Sequence, residues 1–101
     1  MFIRLNVNPT IDALIKNIEL FRLFTQVYLF GSVLKNHITP NDIDLLLVYV
    51  EYSNEIQSEK DYICSTLEKI LNLNVDLVVL SEEELLETKF LDKIGTYKKL
   101  K

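Results

Sequence analysis

Hydrophobic residues follow two kinds of spacing along the chain. From Asn8 to about Thr25, apolar positions recur every three or four residues, which predicts a helix. Asn8 would cap that helix, and Pro9 would take its first position, where a backbone N–H has no partner to lose. The run "VYLF" (27–30) is short and apolar and stops at Gly31, so it predicts a strand.

The middle of the chain repeats this alternation of helix and strand. The stretch "IDLLLVYV" (43–50) is apolar on both faces, as in a strand that is covered on both sides. A second helix begins at Ser53 or Asn54, and its apolar stripe reaches Leu71. The β-branched run "NVDLVVL" (74–80) predicts a further strand.

The last part of the chain is predicted to be helical. Ser81 and Glu84 have the spacing of a capping box at a helix start. Residues 90–101 predict a short helix that is broken at Gly95. With a short helix opened by Ser32, the order is helix, strand, short helix, strand, helix, strand, helix, which predicts an α/β layer domain.

Composition favours a single globular domain over residues 1–101. The length suffices for one domain but not for two, and 49% hydrophobic residues can form a real core. The longest apolar run, Leu45 to Val50, is far too short to cross a bilayer, and the N-terminus does not resemble a signal peptide. We therefore expect no membrane association.

Charge and cysteine content indicate which ligands and which cellular compartment to expect. The net charge of −4 argues against binding duplex nucleic acid through a general basic surface. The lone Cys64 cannot form an internal disulfide and is expected to be a packed thiol in a cytoplasmic protein. Lysines become frequent only near the C-terminal end, where they would form a solvated tail or contact a phosphate or a partner.

Two aspartates precede the long apolar run. Side chains alternate along a strand, so Asp42 and Asp44 face the same way, with attachment points roughly 7 Å apart. Carboxylates this close repel each other unless a cation lies between them. Hard oxygen ligands select Mg²⁺, and two metal ions about 3.5–4 Å apart are usual for displacement at phosphorus. Asp76 would complete the site if its strand adjoins theirs. The structural alternatives are a turn or cap residue for Asp42, less so for Asp44, and a salt-bridge or surface residue for Asp76.

A Gly-Ser pair precedes these aspartates. Glycine lets the backbone approach a ligand closely, and the free N–H groups of a helix N-terminus favour a phosphate. Ser32 adds a hydroxyl donor to Gly31. A Gly-Ser turn alone is usually structural, so the indication of a phosphate site comes from its position ahead of Asp42 and Asp44.

These residues together form a recognisable pattern. Gly31-Ser32, nine further residues and then Asp42-Ile43-Asp44-Leu45 resembles the signature of the polymerase-β nucleotidyltransferase superfamily, and Asp76 matches its third carboxylate. In length, the chain resembles the minimal nucleotidyltransferases, many of which are antitoxins encoded beside HEPN-domain toxins. The resemblance implies a small mixed sheet flanked by helices, an α/β fold.

The resemblance also implies roles and a reaction. Asp42 and Asp44 would hold two Mg²⁺ ions, and Asp76 would hold the catalytic ion and help to activate the attacking hydroxyl. Gly31 and Ser32 would grip the β- and γ-phosphates. The enzyme would transfer AMP from ATP to a hydroxyl, here a tyrosine of a cognate HEPN toxin, release pyrophosphate and act as the antitoxin.

The chain departs from the family pattern in the Gly-Ser segment. Relatives often read Gly-Ser-Arg-Ala-Arg-Gly, whereas Val33 and Lys35 occupy the two arginine positions here. Lys35 could replace the second arginine as a phosphate contact, although it lacks the bidentate fork, and Val33 cannot replace the first. Asn41 stands where a serine is usual and can still hydrogen-bond locally. The expected nucleotide-binding residues are therefore Gly31, Ser32 and Lys35.

Other functions remain to be weighed against this one. Phosphatases and receiver domains also cluster aspartates, but there the carboxylates follow the apolar strand, whereas Asp42 and Asp44 precede it. The stronger alternative is a non-catalytic antitoxin or binding module that neutralises a partner by complex formation alone. So small a domain is expected to work with a partner chain or as an oligomer, and its apolar first helix would suit such an interface or a buried core.

The remaining aromatic and titratable residues have simpler interpretations. His37 is expected to be an exposed loop residue, with a γ-phosphate contact as the alternative. Tyr28, Tyr49 and Tyr62 fall in apolar patterns and are expected in the core.

Overall fold

Four strands and four α-helices make up the part of the chain that the computed structural model describes, residues 9–31 and 42–101. The prediction of a mixed α/β fold is confirmed. In chain order the elements are α1 (Pro9–Lys16), a 3-10 helix (Ile18–Phe21), β1 (Gln26–Phe30), β2 (Asp42–Tyr49), α2 (Asn54–Leu71), β3 (Asn74–Ser81), α3 (Glu82–Thr88), α4 (Phe90–Ile94) and β4 (Tyr97–Lys99).

The sheet has the strand order β3-β2-β1-β4, with β2 inside it. β2 runs parallel to β3 and antiparallel to β1, and β1 is antiparallel to β4. Helices cover both faces of β2, and for that reason residues 45–48 are completely buried although they alternate between the faces. The prediction of a strand covered on both sides is confirmed.

The larger core lies on the face that α1, the 3-10 helix and α2 cover. It includes Leu14, Phe21 and Phe24 from the first segment and Ile63 and Leu67 from α2. A smaller core on the other face lies under α3 and α4. Its members are Tyr28, Leu46, Val48 and Leu85, with Phe30, Val78, Leu80, Phe90 and Leu91 packed against them.

The first helix is shorter than its apolar spacing predicts. α1 ends at Lys16 rather than near Thr25, and the chain continues as a 3-10 helix. The Asn17 side chain donates a hydrogen bond of 2.7 Å to the Ala13 carbonyl, and such a local bond competes with helix propagation. Phe21 and Phe24 are buried nonetheless. The apolar spacing therefore predicted which residues are buried, but it did not predict where the helix ends.

The C-terminal lysines do not form a simple tail. α4 stops at Ile94, and Gly95 has a φ of +76°, as the predicted break requires. Beyond it, β4 pairs antiparallel with β1 as an edge strand whose three residues are exposed. This strand was not predicted, because three residues carry no usable alternation.

Three predictions about single side chains can be compared with the fold. Tyr28 is buried and Tyr49 half-buried, but Tyr62 is 59% exposed on α2, so its predicted core position is wrong. The Cys64 thiol is partly buried and donates to the Val75 carbonyl at 3.3 Å, which fits a packed thiol. Within residues 9–31 and 42–101, no helix has the length and apolar character needed to span a membrane.

Candidate active site

The three predicted aspartates lie at one corner of the sheet. Asp42 and Asp44 are the first and third residues of β2, and Asp76 is the third residue of β3. In the parallel register Asp44 is paired with Asp76, so both side chains leave the same face of the sheet. Neighbouring strands are about 4.8 Å apart, which brings these two residues closer together than Asp42 and Asp44.

This carboxylate site, defined as Asp42, Asp44 and Asp76, is open to solvent. It shares its sheet face with the smaller core, where Leu85 of α3 packs with Leu46 and Val48, and Phe90 of α4 contacts Phe30 beside Asp44. Asp42 and Asp76 are exposed, whereas Asp44 is half-buried between the two neighbouring strands. A ligand could therefore reach all three carboxylates from the same side.

Gly31 is packed directly against Asp44. It follows β1 with a φ of +84°, a backbone conformation that residues other than glycine rarely adopt. A Cβ atom at this position would overlap Oδ2 of Asp44 and would lie 3.3 Å from its Cγ. The turn therefore needs glycine both for its backbone conformation and to leave room for the carboxylate.

The charges of the carboxylate site are not compensated by the described part of the protein. The pKa of Asp44 is raised, first by burial and then by repulsion from Asp76 and Asp42. Within residues 9–31 and 42–101, none of these three carboxylates forms an ion pair with a basic side chain. A bound cation would lower the pKa of Asp44 again, because it would favour the ionised form.

The donor atoms suit a hard divalent cation, since all three side chains offer carboxylate oxygens. In the described ranges, however, no group of three or more His, Cys, Asp or Glu side chains has an arrangement that could hold a metal ion. The strand register fixes where the three aspartates are attached, while their side-chain torsions set where the oxygens point. The residues thus fit such an ion in type and position, but the carboxylates would have to turn towards it.

Several predicted residues lie outside the described part of the chain. These are Ser32 and Lys35 of the nucleotide-binding set, together with Val33, His37 and Asn41. Gly31 alone represents that set, and it lies beside the carboxylate site as predicted from the Gly-Ser spacing.

The sheet also brings two aromatic residues next to the aspartates. Phe30 of β1 is paired with Asp44, and Tyr97 of β4 is paired with Phe30. Neither residue was predicted to lie at the site. No local signal could have found them, because their position follows from strand pairing between segments far apart in the chain.

A separate groove lies away from the carboxylates. It runs between the 3-10 helix and α2, and its lining mixes apolar and charged side chains. The exposed Arg22 and the half-buried Glu59 form an ion pair of 3.5 Å in it, and an ion pair near the surface contributes little to stability. None of the three aspartates lines this groove, so it is distinct from the carboxylate site.

The chain matches a known protein family over most of its length. The family model of the nucleotidyltransferase domain matches residues 12–99, which include Gly31 and all three aspartates. No curated protein matches the chain in sequence.

Two of the solved structures with a similar fold are of toxin–antitoxin pairs. The crystal structure of a mutant of the toxin–antitoxin pair MntA–HpeT is 21% identical, with a TM-score of 0.60 over 85% of this chain and 70% of that one. A tri-AMPylated Shewanella oneidensis HEPN toxin in complex with an MNT antitoxin gives 21% identity and a TM-score of 0.56, over 91% and 69%. A further crystal structure, from Shewanella oneidensis, is 21% identical and has a TM-score of 0.58, over 94% of this chain and 72% of that one. At this identity the likeness concerns the fold.

Proposed function

Because the chain belongs to the nucleotidyltransferase domain family, as its sequence pattern predicted, we propose that it transfers AMP from ATP to a protein hydroxyl. The acceptor in this proposal is a tyrosine of a cognate HEPN toxin, and the modification neutralises that toxin. Residues 1–101 would act as one minimal nucleotidyltransferase domain, in the cytoplasm and in complex with the toxin.

The observation that carries the proposal is the position of Asp42, Asp44 and Asp76 together at one exposed corner of the sheet. Phosphoryl-group chemistry needs little from the protein beyond positioning and stabilisation of charge. A site that concentrates carboxylates without counter-charges is suited to hold cations that neutralise a triphosphate. The Gly31 turn beside Asp44 supports the same assignment, since glycine allows close approach of phosphate to the backbone.

Each side chain has a role in this mechanism. Asp42 and Asp44 would hold two Mg²⁺ ions, with Asp76 as a further ligand of the catalytic ion. When bound, Mg²⁺ supplies charge neutralisation at the phosphates. Gly31, Ser32 and Lys35 would hold the β- and γ-phosphates, so that the pyrophosphate leaving group is fixed before reaction.

The proposed transfer is a substitution at the α-phosphorus of ATP. The tyrosine oxygen of the toxin forms a bond to the α-phosphorus, and the bond from this phosphorus to the bridging oxygen of the β-phosphate breaks. Pyrophosphate leaves with that oxygen, and the phenolic proton passes to the carboxylate of Asp76. The products are tyrosine-bound AMP and pyrophosphate.

The choice of acceptor draws on the structural neighbours. One of them is a complex in which the HEPN toxin is tri-AMPylated, and its partner is an MNT antitoxin. The fold of the present chain is similar, and Asp42 and Asp76 at its sheet corner are exposed. ATP as the donor and a toxin tyrosine as the acceptor are therefore the first substrates to test.

The test uses ATP labelled at the α-phosphorus, Mg²⁺, and the cognate toxin candidate encoded beside this chain. Label should appear on the toxin with the wild-type protein. It should fall by at least 100-fold with Asp42→Asn or Asp44→Asn, because one oxygen ligand is lost in each. The matched control is Asp61→Asn on the exposed side of α2, which should leave labelling unchanged.

The alternative function gives a different result. A non-catalytic antitoxin would bind the toxin stoichiometrically and neutralise it without transfer of label. Neutralisation would then survive Asp42→Asn and Asp44→Asn, and the proposed transfer reaction would be refuted.

A further inference from the structure

We propose that Tyr97 binds the base of the nucleotide by stacking, with Phe30 between it and the carboxylate site. The inference rests on the proposed function and adds to it a residue that recognises the nucleoside. Tyr97 and Phe30 together form an aromatic row. The family pattern in the sequence includes neither residue.

The strand register puts the aromatic row in line with the aspartates. Tyr97 is paired with Phe30, Phe30 with Asp44, and Asp44 with Asp76. Directly paired residues point to the same face of a sheet, so all four side chains share one face. The sheet thus presents two aromatic rings and then two carboxylates, one from each of its four strands.

The distance from the carboxylate site suits a nucleoside. Two strand spacings of about 4.8 Å separate Asp44 from Tyr97, which gives about 10 Å between their Cα atoms. This span is comparable with that from the α-phosphate to the far edge of a purine base. A nucleotide whose α-phosphate lies at Asp44 can therefore place its base over the aromatic row.

Other aromatic rings hold the two members of the row in place. The rings of Tyr97 and the buried Tyr28 pack edge to face with their centroids 5.4 Å apart, and those of Phe30 and Phe90 do so at 5.7 Å. Such aromatic pairs prefer this geometry, which orients the Tyr97 and Phe30 rings. Tyr97 nevertheless remains 43% exposed, so the residue is accessible to a ligand.

The two sides of the carboxylate site differ in what they can accommodate. On the Asp76 side, β3 is an edge strand, with no further strand beside it among the described residues, which leaves room for a protein acceptor. On the Phe30 side, Phe90 and the aromatic row confine the space and provide flat apolar surfaces. Of the groups that must bind, the planar base of ATP is the one that fits the Phe30 side.

The experiment compares the binding of two ligands in the presence of Mg²⁺: ATP and inorganic tripolyphosphate, which has no base. Stacking on an aromatic side chain is worth about 5- to 150-fold in affinity. Tyr97→Leu should lower the affinity for ATP by this factor and leave the affinity for tripolyphosphate unchanged. Tyr97→Phe keeps the ring and should bind ATP like the wild type.

A matched control is available on the other side of the molecule. Tyr62 is also exposed but lies on α2, which covers the opposite face of the sheet, so Tyr62→Leu should leave both ligands unaffected. Circular dichroism of Tyr97→Leu and Tyr97→Phe verifies that both variants are folded. If Tyr97→Leu unfolds, protection of Tyr97 from iodination by ATP but not by tripolyphosphate serves as the second measurement.

The outcomes separate the inference from the proposed function. If the wild type binds both ligands and Tyr97→Leu binds ATP equally well, the base does not stack on Tyr97 and the inference is wrong. Equal weakening of both ligands by Tyr97→Leu also overturns it, since a base contact cannot affect tripolyphosphate. If the wild type binds neither ligand, the proposed function itself fails, and the inference fails with it.

Discussion

Gly31 lies against the carboxylate of Asp44, so the turn that ends β1 and the third residue of β2 form one packed unit. The sequence pattern treats the glycine and the aspartates as separate parts of a signature. In the fold they touch, because β1 and β2 are antiparallel and Phe30 is paired with Asp44. A change at Gly31 should therefore act on the carboxylate site as well as on the turn.

The first prediction concerns Gly31→Ala. The positive φ alone costs a side chain about 1–2 kcal/mol, and the new methyl group would also displace the Asp44 carboxylate. We expect the free energy of unfolding to fall by about 2–3 kcal/mol in chemical denaturation, with loss of transferase activity.

Gly95→Ala provides the control for this substitution. Gly95 also has a positive φ, of +76°, but an added Cβ there would meet no atom within 4 Å. The comparison therefore contrasts a glycine whose added Cβ would meet Asp44 with one whose added Cβ would meet open space. In an Asp44→Ala background, Gly31→Ala should become less costly by about 0.5–1 kcal/mol, and full additivity would show that the contact is unimportant.

The second prediction concerns the pH dependence of stability. The pKa of Asp44 is raised in the folded protein, chiefly by burial and then by Asp76 and Asp42. The folded state thus holds this proton more tightly than the unfolded state does. Ionisation of Asp44 destabilises the fold as pH rises through the ordinary aspartate value, about 3.9, to the raised folded value, and the cost persists at neutral pH.

Asp44→Asn should remove that cost. At pH 7 and with a chelator present, the variant should be more stable than the wild type by up to about 1 kcal/mol after allowance for solvent screening. The gain should fade as the pH falls through about 3.9, because Asp44 then becomes protonated in the unfolded state as well as in the folded one. Thermal unfolding at a series of pH values measures it, and a lower melting temperature for the variant at pH 7 would contradict the prediction.

The third prediction concerns divalent cations. Binding to the carboxylate site should raise the melting temperature, because the ion binds the folded protein in preference to the unfolded one. At a Mg²⁺ concentration 100 times its Kd the gain is about 2.7 kcal/mol. A chelator should reverse this stabilisation, and Asp42→Asn should weaken it strongly, whereas Asp61→Asn should retain it. Equal stabilisation of all variants would mean that Mg²⁺ binds elsewhere.

The sequence contained most of what was needed for the carboxylate site. The alternation of side chains along "DID" already put Asp42 and Asp44 on one face, and this depends only on local geometry. That Asp76 joins them depends on the parallel pairing of β2 with β3, which the sequence made plausible but could not specify. The site could be proposed because the undetermined step was a single strand pairing.

Features that depend on several pairings were not predictable in the same way. Tyr97 belongs to a three-residue strand whose existence depends on β1, and its place near Asp44 requires two successive registers. Tyr62 fits the apolar spacing of its helix, yet it lies on the exposed side. Spacing gives the period of a helix, but the packing of the whole domain decides which borderline positions are covered.

The fourth prediction concerns the capping box that begins α3. The Ser81 hydroxyl accepts a hydrogen bond of 3.0 Å from the Glu84 N–H, and the Ser81 N–H donates one of 3.0 Å to the Glu84 carboxylate. Ser81→Ala should cost about 1 kcal/mol of stability. The cap also helps to hold α3 over the sheet face that carries Asp44, where Leu85 packs. Without the cap, α3 should open more often, and its amide protons should exchange faster.

Ser65→Ala is the matched control for this loss. The Ser65 hydroxyl donates to the Asp61 carbonyl at 2.8 Å in the interior of α2, where alanine is the better helix former. This variant should be neutral or slightly stabilising, and exchange in α3 should not change. If Ser81→Ala matched it in both measurements, the packing of Leu85 alone would suffice to hold α3 over the sheet.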